Sequence, residues 1–244
     1  MVSRGRCSVS RAADVEVWLA RLEPAGFDAP RDEALLDAAE RARAARFHFA
    51  RDAHAFVLGK RLTRTVLGRR LGLPPGTLAF APGERGKPAL VGPAADAAPG
   101  FNLAHSGLLV ALAVSDGRRV GIDVERVRRG PNFNKLARRF FCPRETRALE
   151  AADPEQRRRL FFKFWTLKEA YLKAEGSGIS LSLRAVDVSG APDTFLHAPW
   201  EPVEDRPRGL RLQRLDPGAG YAAAVAADGG SWTAAIHSWA GEGS

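Results

Sequence analysis

The stretch from Val120 to Val127 constrains this chain more than any other. Val120, Ile122 and Val124 alternate with Gly121, Asp123 and Glu125. In a β-strand successive side chains point to opposite faces, so this stretch has one face that must enter a core and one that presents two carboxylates together. A second segment carries helix start and stop signals. Asp153 is a good N-cap, Pro154 suits the first helical position and Gly176 suits the end, which predicts a helix from about Asp153 to Glu175. Residues four apart are neighbours on a helix, so Glu169 and Lys173 sit side by side in its last two turns.

Three oxygen ligands with an adjacent ammonium suit a hard divalent cation and the phosphates it carries. That is a phosphoryl-transfer site in outline. Taken alone, the same residues have plainer readings. Asp123 and Glu125 are more often an exposed strand face beside Arg126, and Glu169 with Lys173 is more often a surface ion pair contributing about 0.3–0.5 kcal/mol.

The length of 244 residues, 45% of them hydrophobic, is enough for one large domain or two small ones with a real core. A formal net charge of +9 implies an anionic partner. Much of the excess lies between Arg41 and Arg70, where Asp52 is the single acid. Cys7 and Cys142 are far apart and have no metal-ligand spacing, so neither a disulfide framework nor a zinc site is suggested, and a reducing cytoplasm fits. No apolar run approaches transmembrane length, so no membrane role is expected. Helices are expected at Arg31 to Phe47, with Leu35, Leu36 and Ala39 on one stripe, and at Asp52 to Leu71. Short strands are expected at Phe101–Ala104, Leu108–Val114, Leu210–Leu215, Tyr221–Ala226 and Trp232–Trp239. Helices and strands mix without regular alternation, which favours α+β.

Five motifs in order resemble the 4'-phosphopantetheinyl transferases of the large surfactin-synthetase-activating class. They are Arg46-Phe47 to Asp52-Ala53-His54 with Gly59, Gly86-Lys87-Pro88, Asn102 to Gly107, Gly121 to Glu125, and Trp165 to Gly176. The resemblance runs from about Arg41 to Ala226. It implies a pseudo-dimer of two similar α+β halves, residues 1–117 for coenzyme A and 118–244 for metal and catalysis, with the active site in the cleft between them. It makes Asp123, Glu125 and Glu169 the ligands of Mg²⁺, with Mn²⁺ as the alternative. Glu169 becomes the base and Lys173 the stabiliser or proton donor for the leaving group, with Lys168 and His105 assisting. Glu145 also matches a family carboxylate and is the alternative base; its plainer reading is a first-turn helix acid.

For the coenzyme, the resemblance assigns Arg43 and Arg46 to the 3'-phosphate and His105 to a phosphate. Lys87 and Pro88 fall on the adenine side, and Lys168 and Lys173 are further coenzyme-binding residues. Two departures stand out: Ala104 where relatives carry a serine, and Ala55-Phe56 after His54. The implied reaction moves the 4'-phosphopantetheine arm of coenzyme A to a serine of an acidic apo carrier protein, and a cytoplasmic monomer is expected. A basic nucleic-acid-binding protein explains the charge but not the three acids, and no recognised nucleic-acid motif is present. A non-catalytic coenzyme A-binding relative is opposed by retention of the carboxylates and Lys173. The short trimeric holo-carrier synthases are about half this length.

Overall fold

The structure is a computed structural model, described here for residues 14–23, 34–83, 86–129, 133–176, 183–190, 195–196 and 209–240. Strand β1 (Val15–Arg21) is followed by helices α1 (Ala38–Ala44) and α2 (Ala50–Leu71). A hairpin of β2 (Ala79–Pro82) and β3 (Pro88–Val91) leads to β4 (Gly100–Ser106), β5 (Leu109–Ser115) and β6 (Val120–Arg126). Helices α3 (Phe133–Phe140), α4 (Pro143–Ala151) and α5 (Pro154–Glu175) come next, then β7 (Phe195–Leu196), β8 (Leu210–Leu215), β9 (Tyr221–Asp228) and β10 (Ala234–Trp239).

The capping signals read for α5 are realised. Asp153 Oδ1 accepts from the backbone N–H of Glu155 and Gln156, and Gly176 closes the helix at φ 68°. Helix α1 differs from the expected Arg31 to Phe47, of which residues 31–33 lie outside the described ones. It starts after Asp37, whose carboxylate accepts from Glu40 N at 2.8 Å while Glu40 Oε2 accepts from Asp37 N at 3.1 Å. Leu36 and Glu40 face inward and Ala39 is exposed, because Glu40 is drawn in by Arg64 at 2.7 Å and Lys60 at 3.0 Å. Apolar periodicity cannot register a buried charged cluster of this kind.

Two four-stranded sheets form, in the orders β10-β1-β5-β4 and β6-β9-β8-β7. Val15 and Val17 of β1 and Ala111 and Ala113 of β5 pack on Ile122, Val124, Val225 and Ala227 of the second sheet, making an apolar layer between the sheets. Leu62, Val66 and Leu67 of α2 cover the other face of the first sheet against Val110, Leu112 and Val114. Helix α5 covers the other face of the second sheet, against Leu210, Leu212, Ala224 and Ala226. Strand β5 is therefore buried on both faces, which is why its sequence is an apolar run without alternation. The fold mixes helices with mainly antiparallel sheets, as expected of an α+β chain. Strand β10, far down the chain, pairs parallel to β1 and so joins the sheet built by the first 117 residues.

Candidate active site

Strands β4 and β6 are edge strands of different sheets, and polar side chains tie them together. The backbone N–H of Ile122 donates to Asn102 Oδ1 at 2.8 Å. Four residues on, Ser106 Oγ accepts from Arg126 N at 3.1 Å and donates to Glu125 Oε2 at 2.7 Å. These bonds stand in for a backbone ladder and satisfy donors of β6 that β9 does not reach. The β4–β5 turn docks on the same edge. Gly107 there has φ 60°, and a Cβ on it would meet Tyr221 Oη at 2.9 Å, while Tyr221 Oη accepts from Leu108 N at 3.0 Å.

On its other side β6 meets α5. At Gly121 an added Cβ would lie 2.2 Å from Ala170 O and 2.3 Å from Ala174 N, so strand and helix touch backbone to backbone. That approach brings Lys173 Nζ to 2.6 Å from Asp123 Oδ1, while Asp123 Oδ2 is buried and makes no hydrogen bond. Burial pushes the Asp123 carboxyl up to about 7, against the pull of Lys173 and reinforced by Glu125 and Glu169. The Glu169 carboxyl is raised as well, by burial first, with Lys173 opposing and Glu125 adding. The Asp123 and Glu169 carboxyls, both raised by burial, with Glu125 beside them and one Asp123 oxygen orphaned, fit a hard divalent cation in donor type and electrostatics. The three do not yet bring one oxygen each within 4.8 Å of one another; the Lys173 ammonium lies against Asp123 instead.

His105, on β4, is held below the usual histidine range by burial, and it feels Asp52 from the start of α2 together with Lys173 and Glu125. It thus belongs to the same group. Arg43 and Arg46 are exposed near the end of α1, and Arg43 lies over the ring of Phe56 at 5.2 Å. The unexpected Phe56 is therefore a platform for that arginine. Pro88 begins β3. The ammonium of Lys87, expected on the adenine side of the coenzyme, donates to Val120 O at 2.9 Å and Lys173 O at 3.1 Å.

Glu145 and Lys168, expected at the reaction centre, engage one another at 2.9 Å with side chains 0% exposed. Glu145 also accepts from Cys142 N at 2.9 Å and Val188 N at 2.8 Å, and Lys168 donates to Leu183 O at 2.7 Å and to Val186 O. Both are filled with protein partners, so the pair pins the segment 183–188 to α4 and α5. Cys142, Glu145 and Asp187 are the group of three among the described residues whose ligand atoms lie within 4.8 Å of one another. A thiol raised by burial and a carboxylate already bound by an ammonium make it a poor match for an oxygen-seeking cation.

Asn102, Ser106 and Tyr221 carry no site role in the sequence reading. The available signal was the even spacing of Asn102 and Ser106 along one strand, which places both on one face. Between the early turns of α5 and the β8–β9 turn runs a groove of about 810 Å³, lined by Arg158, Arg159, Lys163, Thr166, Arg214 and Tyr221 among others. Burial and the nearby Arg214 lower the Lys163 ammonium.

Residues 119–226 match the 4'-phosphopantetheinyl transferase superfamily, and residues 28–117 match a 4'-phosphopantetheinyl transferase N-terminal family. The chain is 36% identical over 219 residues to the 4'-phosphopantetheinyl transferase HetI of Nostoc sp., which covers 90% of each chain. It is 33% identical over 189 residues to the 4'-phosphopantetheinyl transferase Sfp of Bacillus subtilis, covering 77% of this chain and 80% of that one. Among solved structures, Thermotoga maritima holo-(acyl-carrier-protein) synthase overlaps 45% of this chain and 61% of its own, at 25% identity and a TM-score of 0.34.

Proposed function

The chain belongs to the 4'-phosphopantetheinyl transferase superfamily, and we propose that it moves the 4'-phosphopantetheine arm of coenzyme A onto a serine hydroxyl of an apo carrier protein, releasing adenosine 3',5'-bisphosphate. The observation that supports the chemistry best is the Lys173–Asp123 contact beside Glu125 and Glu169, with one Asp123 oxygen buried and unpaired. In this reading the two motif-bearing halves, 1–117 and 118–244, form a pseudo-dimer around the cleft, and β10 ties the second half back to the first.

Asp123, Glu125 and Glu169 would hold a divalent cation, which supplies positive charge to the pyrophosphate oxygens when bound. Glu169, its carboxyl raised by burial, takes the proton of the acceptor serine. The serine oxygen forms a bond to the phosphorus bearing the pantetheine arm as that phosphorus parts from the oxygen of the bisphosphate. Lys173 meets the charge that develops on that oxygen and can give it a proton. His105 faces the phosphates from β4, and Arg43 at the end of α1 and Arg46 just beyond it serve the 3'-phosphate. In this reading Glu145 and Lys168, paired with one another in the core, hold the helices in place, and the proton transfers fall to Glu169 and Lys173.

The groove along α5, where Arg158, Arg159, Lys163 and Arg214 outnumber Glu155 and Asp216, carries a positive excess that suits an acidic acceptor. The deciding experiment is mass spectrometry of apo carrier proteins of the fatty-acid, polyketide and peptide classes after incubation with coenzyme A, Mg²⁺ and this protein. The expected result is a mass gain of one phosphopantetheine on at least one class. No gain on any class overturns the reading.

A further inference from the structure

Lys87 occupies a place that a coenzyme contact does not explain. It stands just before β3, in a hairpin that belongs to neither four-stranded sheet, and its side chain crosses to the second half of the molecule. There its ammonium donates to Val120 O at 2.9 Å and to Lys173 O at 3.1 Å. Val120 is the first residue of β6, the strand that carries Asp123 and Glu125. Lys173 lies in the last turn of α5, the helix that carries Glu169.

We infer that Lys87 is a positioning residue: it clamps β6 and α5 on either side of their backbone contact at Gly121, and so sets the separation of the carboxylates from Lys173. The inference rests on the site proposed above. The last four carbonyls of a helix have no intrahelical partner, and Lys173 O is one of them. An ammonium there satisfies that acceptor and meets the negative end of the helix. The same ammonium holds the carbonyl next to Gly121, where a Cβ would already press on Lys173 C at 2.8 Å. Lys173 is thus held at its backbone by Lys87 and at its side chain by Asp123. A small slide of α5 along β6 would move Glu169 and Lys173 together relative to Asp123 and Glu125. Burial and the neighbouring Arg119 bring Lys87 down to about 8, in keeping with a partly buried ammonium held against protein carbonyls.

The test compares wild type, Lys87→Met and Lys87→Arg as full chains. Four quantities are measured: coenzyme A affinity by calorimetry, kcat and KM for coenzyme A, the Mg²⁺ concentration giving half-maximal rate, and hydrogen exchange over residues 170–176 without metal or coenzyme. For Lys87→Met the expected result is coenzyme affinity within about twofold of wild type, with kcat lowered about ten- to a hundredfold, as misplacement of reacting groups produces. The Mg²⁺ requirement rises, exchange at the end of α5 quickens, and Lys87→Arg recovers most of both. A selective loss of coenzyme affinity with unchanged kcat and unchanged exchange would make Lys87 a coenzyme contact and overturn the inference. If Lys87→Met does not fold, Lys87→Gln, which keeps two N–H donors, goes through the same four measurements: lowered kcat with preserved affinity supports the clamp, and lost affinity with unchanged kcat and exchange overturns it. Because exchange is read on the coenzyme-free protein, absence of transfer by the wild type would defeat the transferase reading alone.

Discussion

Lys173 Nζ lies 2.6 Å from Asp123 Oδ1, so the last turn of α5 and the middle of β6 meet through an ion pair whose carboxylate keeps a second, unpaired oxygen. The pair exists because Gly121 lets the helix backbone settle on the strand, two residues before Asp123. A Cβ at that position would collide with the carbonyl of Ala170, so Gly121→Ala must separate the two elements that share the site. The glycine is as much a part of the site as the charges.

Glu145 and Lys168 provide the sharpest separation of structure from chemistry. Removing one partner of a buried ion pair costs about 3–5 kcal/mol, because the other is left charged in the core. Glu145→Gln and Lys168→Met are each expected to lower stability by about that order, and the double variant to lose less than the two losses combined. Urea denaturation of the four proteins measures this cycle. A Glu145→Gln variant with wild-type stability and no transfer activity would restore Glu145 as the base.

Ser106 is expected to act through Glu125. Ser106→Ala leaves the N–H of Arg126 and one oxygen of Glu125 without their hydroxyl partner. Stability should fall by about 0.5–1.5 kcal/mol, the net worth of an ordinary hydrogen bond. The Mg²⁺ concentration for half-maximal rate should rise as Glu125 gains freedom, with coenzyme affinity preserved. Metal titrations of activity alongside calorimetry with coenzyme A check both parts. An unchanged metal requirement would leave Ser106 as a purely structural link.

The charges of β6 and α5 were legible in the sequence because alternation and four-residue spacing are local rules, and both elements obey them. The end signals of α5 were equally plain: Asp153, Pro154 and Gly176 act within a turn of where they stand. What local rules do not carry is which residues meet across the fold. Strand β1 was not anticipated, since Val15 and Val17 acquire meaning only from a layer that includes β9. Glu145 and Lys168 lie 23 positions apart along the chain, and their burial follows from how α4 packs on α5, which no motif spacing encodes. Lys87 stands in a motif that the sequence displays, but its partners are two backbone carbonyls, groups that every residue has and that no sequence pattern marks.

Lys87 also supplies a pH dependence. Its folded value of about 8 lies below the 10.5 of a free lysine, so between those limits the unfolded chain binds more protons than the native one. Stability should therefore rise with pH from about 8 to 10.5, and this contribution should be flat below 8. The difference between wild type and Lys87→Met, followed by denaturation across that window, isolates it. A constant difference would mean that Lys87 stays solvated.

The groove along α5 is expected to govern the acceptor and not the coenzyme. Lys163→Glu and Arg214→Glu should raise KM for an acidic carrier several-fold and weaken the inhibition of transfer by added salt, because steering by exposed charge is screened within about 8 Å at physiological ionic strength. KM for coenzyme A should stay near wild type. Initial rates at low and high salt with both substrates varied measure all of this. Equal rises in both KM values would place the coenzyme in the groove.

Lys173 and Glu169 are neighbours on one helix turn and should fail differently. If Lys173 meets charge that develops on the departing bisphosphate, its interaction is strongest in the transition state, and Lys173→Met should lower kcat with little change in coenzyme affinity. Removal of one such stabilising group costs about a hundred- to a thousandfold in kcat. The variant also leaves Asp123 buried without its ammonium, so its stability should be measured together with its rate, to keep a folding defect from passing as a catalytic one. Glu169→Gln keeps shape and burial but can neither accept the serine proton nor hold a cation strongly. It should therefore lose rate, raise the Mg²⁺ requirement and flatten the acidic limb of the pH–rate profile. A Lys173→Met variant with unchanged kcat and a raised KM would make the lysine a ground-state phosphate clamp. Retention of the acidic limb in Glu169→Gln would move the proton to another acceptor, and His105, which shares the field of Lys173 and Glu125, is the next group to test.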